Sequence, residues 1–301
     1  MERALVFPAE GERLLGILHE GASGAVQGVL VVVGGPQYRV GSHRQFLLLA
    51  RHLARQGIPV FRFDYRGMGD SSGAQTDFED AGQDICQAID AFLEQAPTVR
   101  EVVIWGLCDG ASAATIYAAR DRRVTGLVLL NPWLRTKQGL ARAFLRHYYL
   151  RRLLSAEFWQ GLLRGSIKPA ASARSLWQIL QRQLPGKLDK RSESNSGISS
   201  SGAVRPLPVR VAEAWRTFQG PILLILSGED LIAAEFTDTV ARVPEWEGLL
   251  TMERVTRRDL PEANHTFSRK IWRDQVAAWT IEWLEHRGSP PHPGPDRLAD
   301  R

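Results

Sequence analysis

The chain has 301 residues, 44% of them hydrophobic, with a formal net charge of +5. That is enough apolar material for one large core with room for an insertion. No apolar N-terminal stretch reads as a signal peptide, no run of about eighteen apolar residues reads as a membrane span, and Cys86 and Cys108 alone make no disulfide framework.

Segments 2–7 and 13–19 predict a β-hairpin around Glu10-Gly11-Glu12. Residues 29–33, four valines and a leucine, predict a strand buried on both faces. Residues 44–56 predict a helix with Phe46, Leu49, Ala50 and Leu53 on one side. A strand over 59–64 and a helix over 78–94, with Ile85, Ile89 and Phe92 apolar, come next. Further parallel strands are expected at 102–105, 124–130 and 222–226, a last one at 251–255, and a closing amphipathic helix at 271–286. Strands alternating with helices imply a parallel sheet with right-handed crossovers, whose chemistry gathers at the strands' C-terminal ends.

Residues 133–215 interrupt the alternation. They hold fifteen Lys/Arg against four Asp/Glu, a balance of +11 against −6 in the remainder. Helices are expected at 139–152, 155–163 and 173–184, followed by a polar, serine-rich and mobile segment at 187–203. The expected organisation is a core of 1–132 and 216–288, a helical lid at 133–215, and a flexible, proline-rich tail at 289–301. The basic lid reads as a solvated face, or as a surface for an anionic substrate or an anionic membrane. No nucleic-acid-binding motif accompanies the charge. No C-x-x-C or H-E-x-x-H pattern points to a metal, and no cofactor is expected.

Gly106-Leu107-Cys108-Asp109-Gly110 follows the apolar run 102–105 and precedes a stretch of small residues. A G-x-[nucleophile]-x-G sequence between strand and helix holds the nucleophile on a strained turn, where a flanking side chain would collide with the neighbouring strand and helix. Cysteine stands where serine is usual. A thiol at a helix N-terminus is favoured as thiolate, although the Asp109 carboxylate opposes that. Phe63-Asp64-Tyr65-Arg66-Gly67-Met68-Gly69-Asp70-Ser71, the apolar strand ending in Gly228-Glu229-Asp230, and Asn264-His265-Thr266-Phe267 complete a chain order of nucleophile, acid, histidine. These four segments together resemble the α/β-hydrolases: a mostly parallel sheet flanked by helices, with a helical lid. The 33–46 segment Val33-Gly34-Gly35-Pro36-Gln37-Tyr38-Arg39-Val40-Gly41-Ser42-His43-Arg44-Gln45-Phe46 narrows the resemblance. With the 106–113 segment and Leu130-Asn131-Pro132-Trp133, it is similar to exosortase A system-associated hydrolases of the first type. These accompany exopolysaccharide and protein-sorting loci.

On this reading Cys108 is the nucleophile, His265 the general base and then acid, and Asp230 the group that orients His265. Glu229 and Asp259 are rival acids. The oxyanion-hole amides are expected from Asp109 and Gln37, since Pro36 has no N–H. Tyr38, Arg39, His43 and Arg44 either bind a carboxylate or phosphate or anchor their loop. Trp133 and His147 are candidate lid contacts with substrate, Asp64 and Arg66 are expected to hold their own turn, and Cys86 is expected to pack inside a helix. The expected enzyme is an ester or thioester hydrolase, cytoplasmic or peripheral at the inner membrane, acting on a small or lipid-like acyl substrate through a Cys108 thioester. An acyltransferase with the same triad and a non-catalytic scaffold are the alternatives. The sequence leaves the oligomeric state open.

Overall fold

The computed structural model describes residues 1–34, 37–75, 77–134 and 205–287, and helices are numbered over these. β1 (Glu2–Ala9) and β2 (Glu12–His19) pair antiparallel along their whole length. Glu10 at φ 47° and Gly11 at φ 84° join them. Two left-handed central residues make the tight hairpin turn whose twist matches its strands. Then follow β3 (Gln27–Val32), α1 (Gln45–Arg55), β4 (Val60–Phe63), α2 (Gly82–Gln95), β5 (Glu101–Leu107), α3 (Asp109–Ala118) and β6 (Val124–Leu130). The chain continues with α4 (Leu207–Thr217), β7 (Ile222–Glu229), α5 (Leu231–Val240), β8 (Val255–Asn264) and α6 (Lys270–His286).

The eight strands form one sheet in the order β1-β2-β4-β3-β5-β6-β7-β8. β2 is antiparallel to both neighbours, and every pair from β4 to β8 is parallel. The middle strands are buried on both faces, which is why they read as unbroken apolar runs. α1 packs with α6, and α3 packs with α2 and α4. Phe61 of β4 stands between Phe7 of β1 and Phe92 of α2, with ring centroids 5.7 and 5.8 Å away. Each such buried ring contributes roughly 1.5–3 kcal/mol, and together they tie the antiparallel edge to the helical layer.

Two expectations are corrected. The last strand is not at 251–255: Leu249–Thr251 is a short 3-10 turn, and β8 begins where that prediction ended. β8 is an edge strand, paired only with β7 and largely exposed, so it carries Arg257, Arg258 and Asp259 in place of an apolar run. The core also resumes at Leu207 rather than at 216. α4 lies inside the span read as lid, yet buries Val211, Ala212 and Trp215. Trp215 meets Trp246 edge-on at 5.4 Å, and the Trp246 Nε1–H donates to the Pro208 carbonyl at 3.0 Å. The helices expected at 139–152, 155–163 and 173–184, the 187–203 segment, His147 and the 289–301 tail lie outside the described residues.

Candidate active site

Four loops meet at the C-terminal edge of the parallel strands. After β5 the chain turns at Cys108, φ 61° and ψ −126°, and enters α3 directly. That conformation costs on the order of 1–3 kcal/mol in a non-glycine residue, and persists only where its surroundings fix it. A Cβ on Gly106 would lie 2.6 Å from the Gly110 carbonyl oxygen, and one on Gly110 would lie 2.7 Å from that of Val32. Both glycines are therefore fixed by contact, one with the helix and one with β3. The segment after β6 clamps the turn: the Cys108 N–H donates to Leu130 O at 2.9 Å, and the Trp133 N–H to Cys108 O at 3.1 Å. Ser112 Oγ then donates to Trp133 O at 2.6 Å. Cys108 is 8% exposed.

The acid and the histidine arrive from β7 and β8. Asp230 Oδ2 lies 2.7 Å from His265 Nδ1. A carboxylate only accepts, so the Nδ1 proton belongs to the histidine and Nε2 is its free basic position. The same carboxylate caps α5, accepting from the Ile232 and Ala233 N–H groups at 3.0 and 3.3 Å. Glu229 is exposed, and Asp259 sits on the exposed β8 edge paired with Arg257 at 2.8 Å. A bulge brings the two strand ends together: Ser227 pairs with Leu260 but Glu229 with Asn264. Gly228 allows it, since a Cβ there would lie 2.2 Å from the Pro261 oxygen. The histidine turn is stapled by Asn264, whose side chain accepts from Ser268 N at 3.0 Å and donates to Ser268 Oγ at 2.8 Å.

Asn131, quoted in the sequence only as part of a signature, joins these loops. It is fully buried, at φ 43°. Its Oδ1 accepts from the Ser227 N–H at 2.9 Å, and its Nδ2 donates to Ser227 Oγ at 2.8 Å and to the His265 carbonyl at 3.1 Å. Ser227 Oγ lies 3.5 Å from Asp230 Oδ2. Its place straight after a buried strand, within the 130–133 segment, was the signal in the sequence.

The loop after β3 passes against the elbow: a Cβ on Gly34 would meet Asp109 Oδ1 and Leu107 O at 2.3 Å. Gln37 Oε1 accepts from Ser42 N at 3.1 Å, which closes the loop on itself. The Arg39 guanidinium bonds the buried Asp64 carboxylate and reaches Asp70 at 2.7 Å, and its N–H donates to Asp64 at 2.6 Å. These contacts tie Arg39 to the turn after β4. Arg66 likewise engages Asp84 and Glu10. Tyr38 is 47% exposed, and His43 turns through φ 52° with its carbonyl accepting from Arg273 Nη1 at 3.3 Å. Trp133 is half-buried against the core. Tyr65 lies beneath, its phenol held well above its ordinary pKa by burial, with the Asp109 and Asp84 carboxylates adding to the effect. Cys86 lies on α2, half-buried, with the Arg123 guanidinium 3.5 Å away.

This strand order, a strained turn after β5 and an acid–histidine pair after β7 and β8 define an α/β-hydrolase. Residues 24–237 match the family Hydrolase_4, described as serine aminopeptidase, S33, and the chain belongs to that family. The Pyrococcus furiosus esterase Pf2001 superposes with a TM-score of 0.63 at 14% identity, over 95% of this chain and 93% of that one. A putative α/β-hydrolase of unknown function from Agrobacterium tumefaciens superposes with a TM-score of 0.57 at 16% identity, over 97% and 100%. A polyketide transferase, grgF of Penicillium sp, is 32% identical over 88 residues, which cover 28% of this chain and only 30% of that protein.

Proposed function

We propose that the protein hydrolyses a carboxylic ester or thioester through an acyl-thioester on Cys108. The observation that carries this reading is the 2.7 Å pair of Asp230 and His265 on the strand edge where the Cys108 turn also stands. His265 Nε2 takes the thiol proton as the sulfur attacks the acyl carbon. The amide N–H groups of Asp109 and Gln37 receive the oxyanion. The tetrahedral intermediate collapses, the C–O or C–S bond to the leaving group breaks, and the imidazolium returns its proton to that group. Water, deprotonated by His265, then attacks the thioester and releases the acid and the thiol. Asp230 keeps the imidazole in the required tautomer, and Asn131 holds the His265 backbone.

The family is described as serine aminopeptidases, whereas this chain carries Cys108 at the turn after β5. Acyl transfer to an alcohol or amine is the second reading, favoured by the partial likeness to a polyketide transferase. It differs only in the acceptor that opens the thioester. The 33–46 and 106–113 segments support an acyl substrate from exopolysaccharide-linked metabolism, and the charge balance of +11 over 133–215 supports an anionic partner or an anionic membrane surface for that segment. No helix among the described residues is long and apolar enough to cross a membrane. The test is a panel of nitrophenyl esters, acyl thioesters and lactones, each with and without alcohol acceptors. Turnover by the wild type and its loss in Cys108→Ala support the reading, and full activity in Cys108→Ala rejects it.

A further inference from the structure

β4 is buried along its whole length, yet it reads Val60-Phe61-Arg62-Phe63 and runs straight into Asp64. Arg62 is 2% exposed and Asp64 0%. Alternate residues of a strand share a face, so the two charges stand on one side of the sheet. Burying a charge is costly unless it is hydrogen-bonded, so the bonds these two make name their role.

Asp64 Oδ1 accepts from the Arg39 N–H at 2.6 Å, and its Oδ2 from the Arg39 guanidinium. Arg62 Nη1 donates to the Arg39 carbonyl, and its Nε donates to His19 Nε2 at 2.9 Å. Arg39 is therefore held at both of its peptide groups by two side chains of one strand. The bonds on either side carry this grip along the loop. The Tyr38 carbonyl accepts from Gly41 N at 2.9 Å, and the Val40 carbonyl from Phe46 N and Leu47 N at 3.2 and 3.3 Å, in the first turn of α1. At the other end Gly34 lies so close to the elbow that a Cβ there would meet Leu107 O at 2.3 Å. Gln37 stands between these two fixed points, three residues after Gly34 and two before Arg39. Its Oε1 is engaged inside the loop by Ser42 N.

We propose that Arg62, together with Asp64, is a positioning residue: by gripping Arg39 it sets where the Gln37 N–H meets the oxyanion. The inference rests on the oxyanion role proposed for Gln37. Arg62 acts through the loop backbone and touches no reacting atom. A donor misplaced by about 1 Å costs up to about a hundredfold in rate, so a grip two residues away has leverage over the chemistry.

Two substitutions divide the bonds of Arg62. Arg62→Gln puts its amide nitrogen at the Nε position, so it keeps the donor to His19 and loses the donor to Arg39. Arg62→Lys carries its ammonium one atom farther, within reach of the Arg39 carbonyl, and leaves a methylene at the Nε position. In the full-length protein two reactions of Cys108 are timed, with the modified residue assigned by peptide mapping. Acylation by 4-nitrophenyl acetate passes through a tetrahedral oxyanion. Reaction with methyl methanethiosulfonate does not: the thiolate attacks sulfur, an S–S bond forms and methanesulfinate leaves. The expected result is that Arg62→Gln slows acylation roughly tenfold to a hundredfold and leaves the thiosulfonate rate unchanged. Arg62→Lys acylates at about the wild-type rate and instead unfolds at lower urea, having lost the His19 bond. Equal acylation of Arg62→Gln and the wild type, a parallel fall in both reactions, or Arg62→Lys as slow as Arg62→Gln overturns the assignment. Should Arg62→Gln fail to fold, Arg62→Met, which replaces the buried ion by an apolar chain of similar volume, takes its place against Arg62→Lys. No acylation of Cys108 in the wild type is a different failure, that of the reaction itself, and the positioning role falls with it.

Discussion

Cys108, Asn131 and Phe267 all sit at positive φ, and all stand at the candidate site. Strain concentrated in one place is stable only because its neighbours are over-determined, and the contacts name those neighbours. Gly110→Ala forces a Cβ to within 2.7 Å of the Val32 oxygen. We expect a loss of stability on the order of 1–3 kcal/mol by urea unfolding, with reduced activity. Asn131→Ala removes the donor to the His265 carbonyl and leaves the Asp230 contact in place. A small misplacement of a catalytic base costs up to about a hundredfold, so kcat falls roughly tenfold to a hundredfold with the fold intact by circular dichroism. An unchanged kcat means that Asn131 only fills its pocket. The choice among acids is equally open to test: Asp230→Asn loses most activity, whereas Glu229→Gln, in an exposed side chain, keeps it. The reverse result moves the triad to Glu229.

At the scale of elements, β2 and β4 carry a buried polar pair that the sequence does not advertise. His19 is 1% exposed, and its Nε2 accepts from Arg62 Nε at 2.9 Å. Burial, with the Arg62 guanidinium, holds the His19 pKa down to about 4, while burial lowers that of Arg62 to about 10. Arg62 also donates to the Arg39 carbonyl, so this pair reaches the loop after β3. In the unfolded chain a histidine titrates near 6.5. Between that value and about 4 the unfolded state binds the extra proton, so stability is intact above about 6.5 and falls as the pH drops toward 4. The shift is worth on the order of 3 kcal/mol at most. His19→Gln keeps an acceptor and does not titrate. Urea unfolding at neutral pH and near pH 4.5 should show a shallower acid loss in that variant, and equal losses contradict the assignment. Legibility differs sharply between elements. β3, β5, β6 and β7 were readable because burial on both faces demands continuous apolar sequence. β8 was misplaced and α5 unread, because an edge strand with exposed faces and a helix defined by its Asp230 cap leave no such run.

At the scale of the molecule, the chain order Cys108, Asp230, His265 was legible because each of these residues follows a strand in one parallel sheet. The bulge at Gly228 and the Asn131 bonds, which set the distances, depend on three-dimensional proximity and leave no spacing to read. Charge is the other global feature: +11 over 133–215 against −6 elsewhere. If that segment meets an anionic surface, binding to anionic vesicles should weaken as the Debye length shrinks from about 10 Å at 0.1 M salt toward 3 Å at 1 M. Neutral vesicles should not bind. Reversing Arg142, Arg146, Arg151 and Arg152 to glutamate should abolish the preference while leaving Cys108 labelling by iodoacetamide intact. Equal binding of both vesicle types at low salt reduces the basic segment to a solvated face.

The most direct test of the central claim is intact-mass measurement of the protein quenched in acid during turnover of an activated ester, followed by peptide mapping. The account predicts one added acyl mass on the peptide holding Cys108, released by hydroxylamine and absent in Cys108→Ala. It also predicts that the acyl mass accumulates in His265→Ala if that variant still acylates, since deacylation then lacks its base, with overall kcat lowered by roughly 10²–10⁴-fold. Turnover with no covalent acyl group, or an acyl group on Cys86 or a serine, contradicts it.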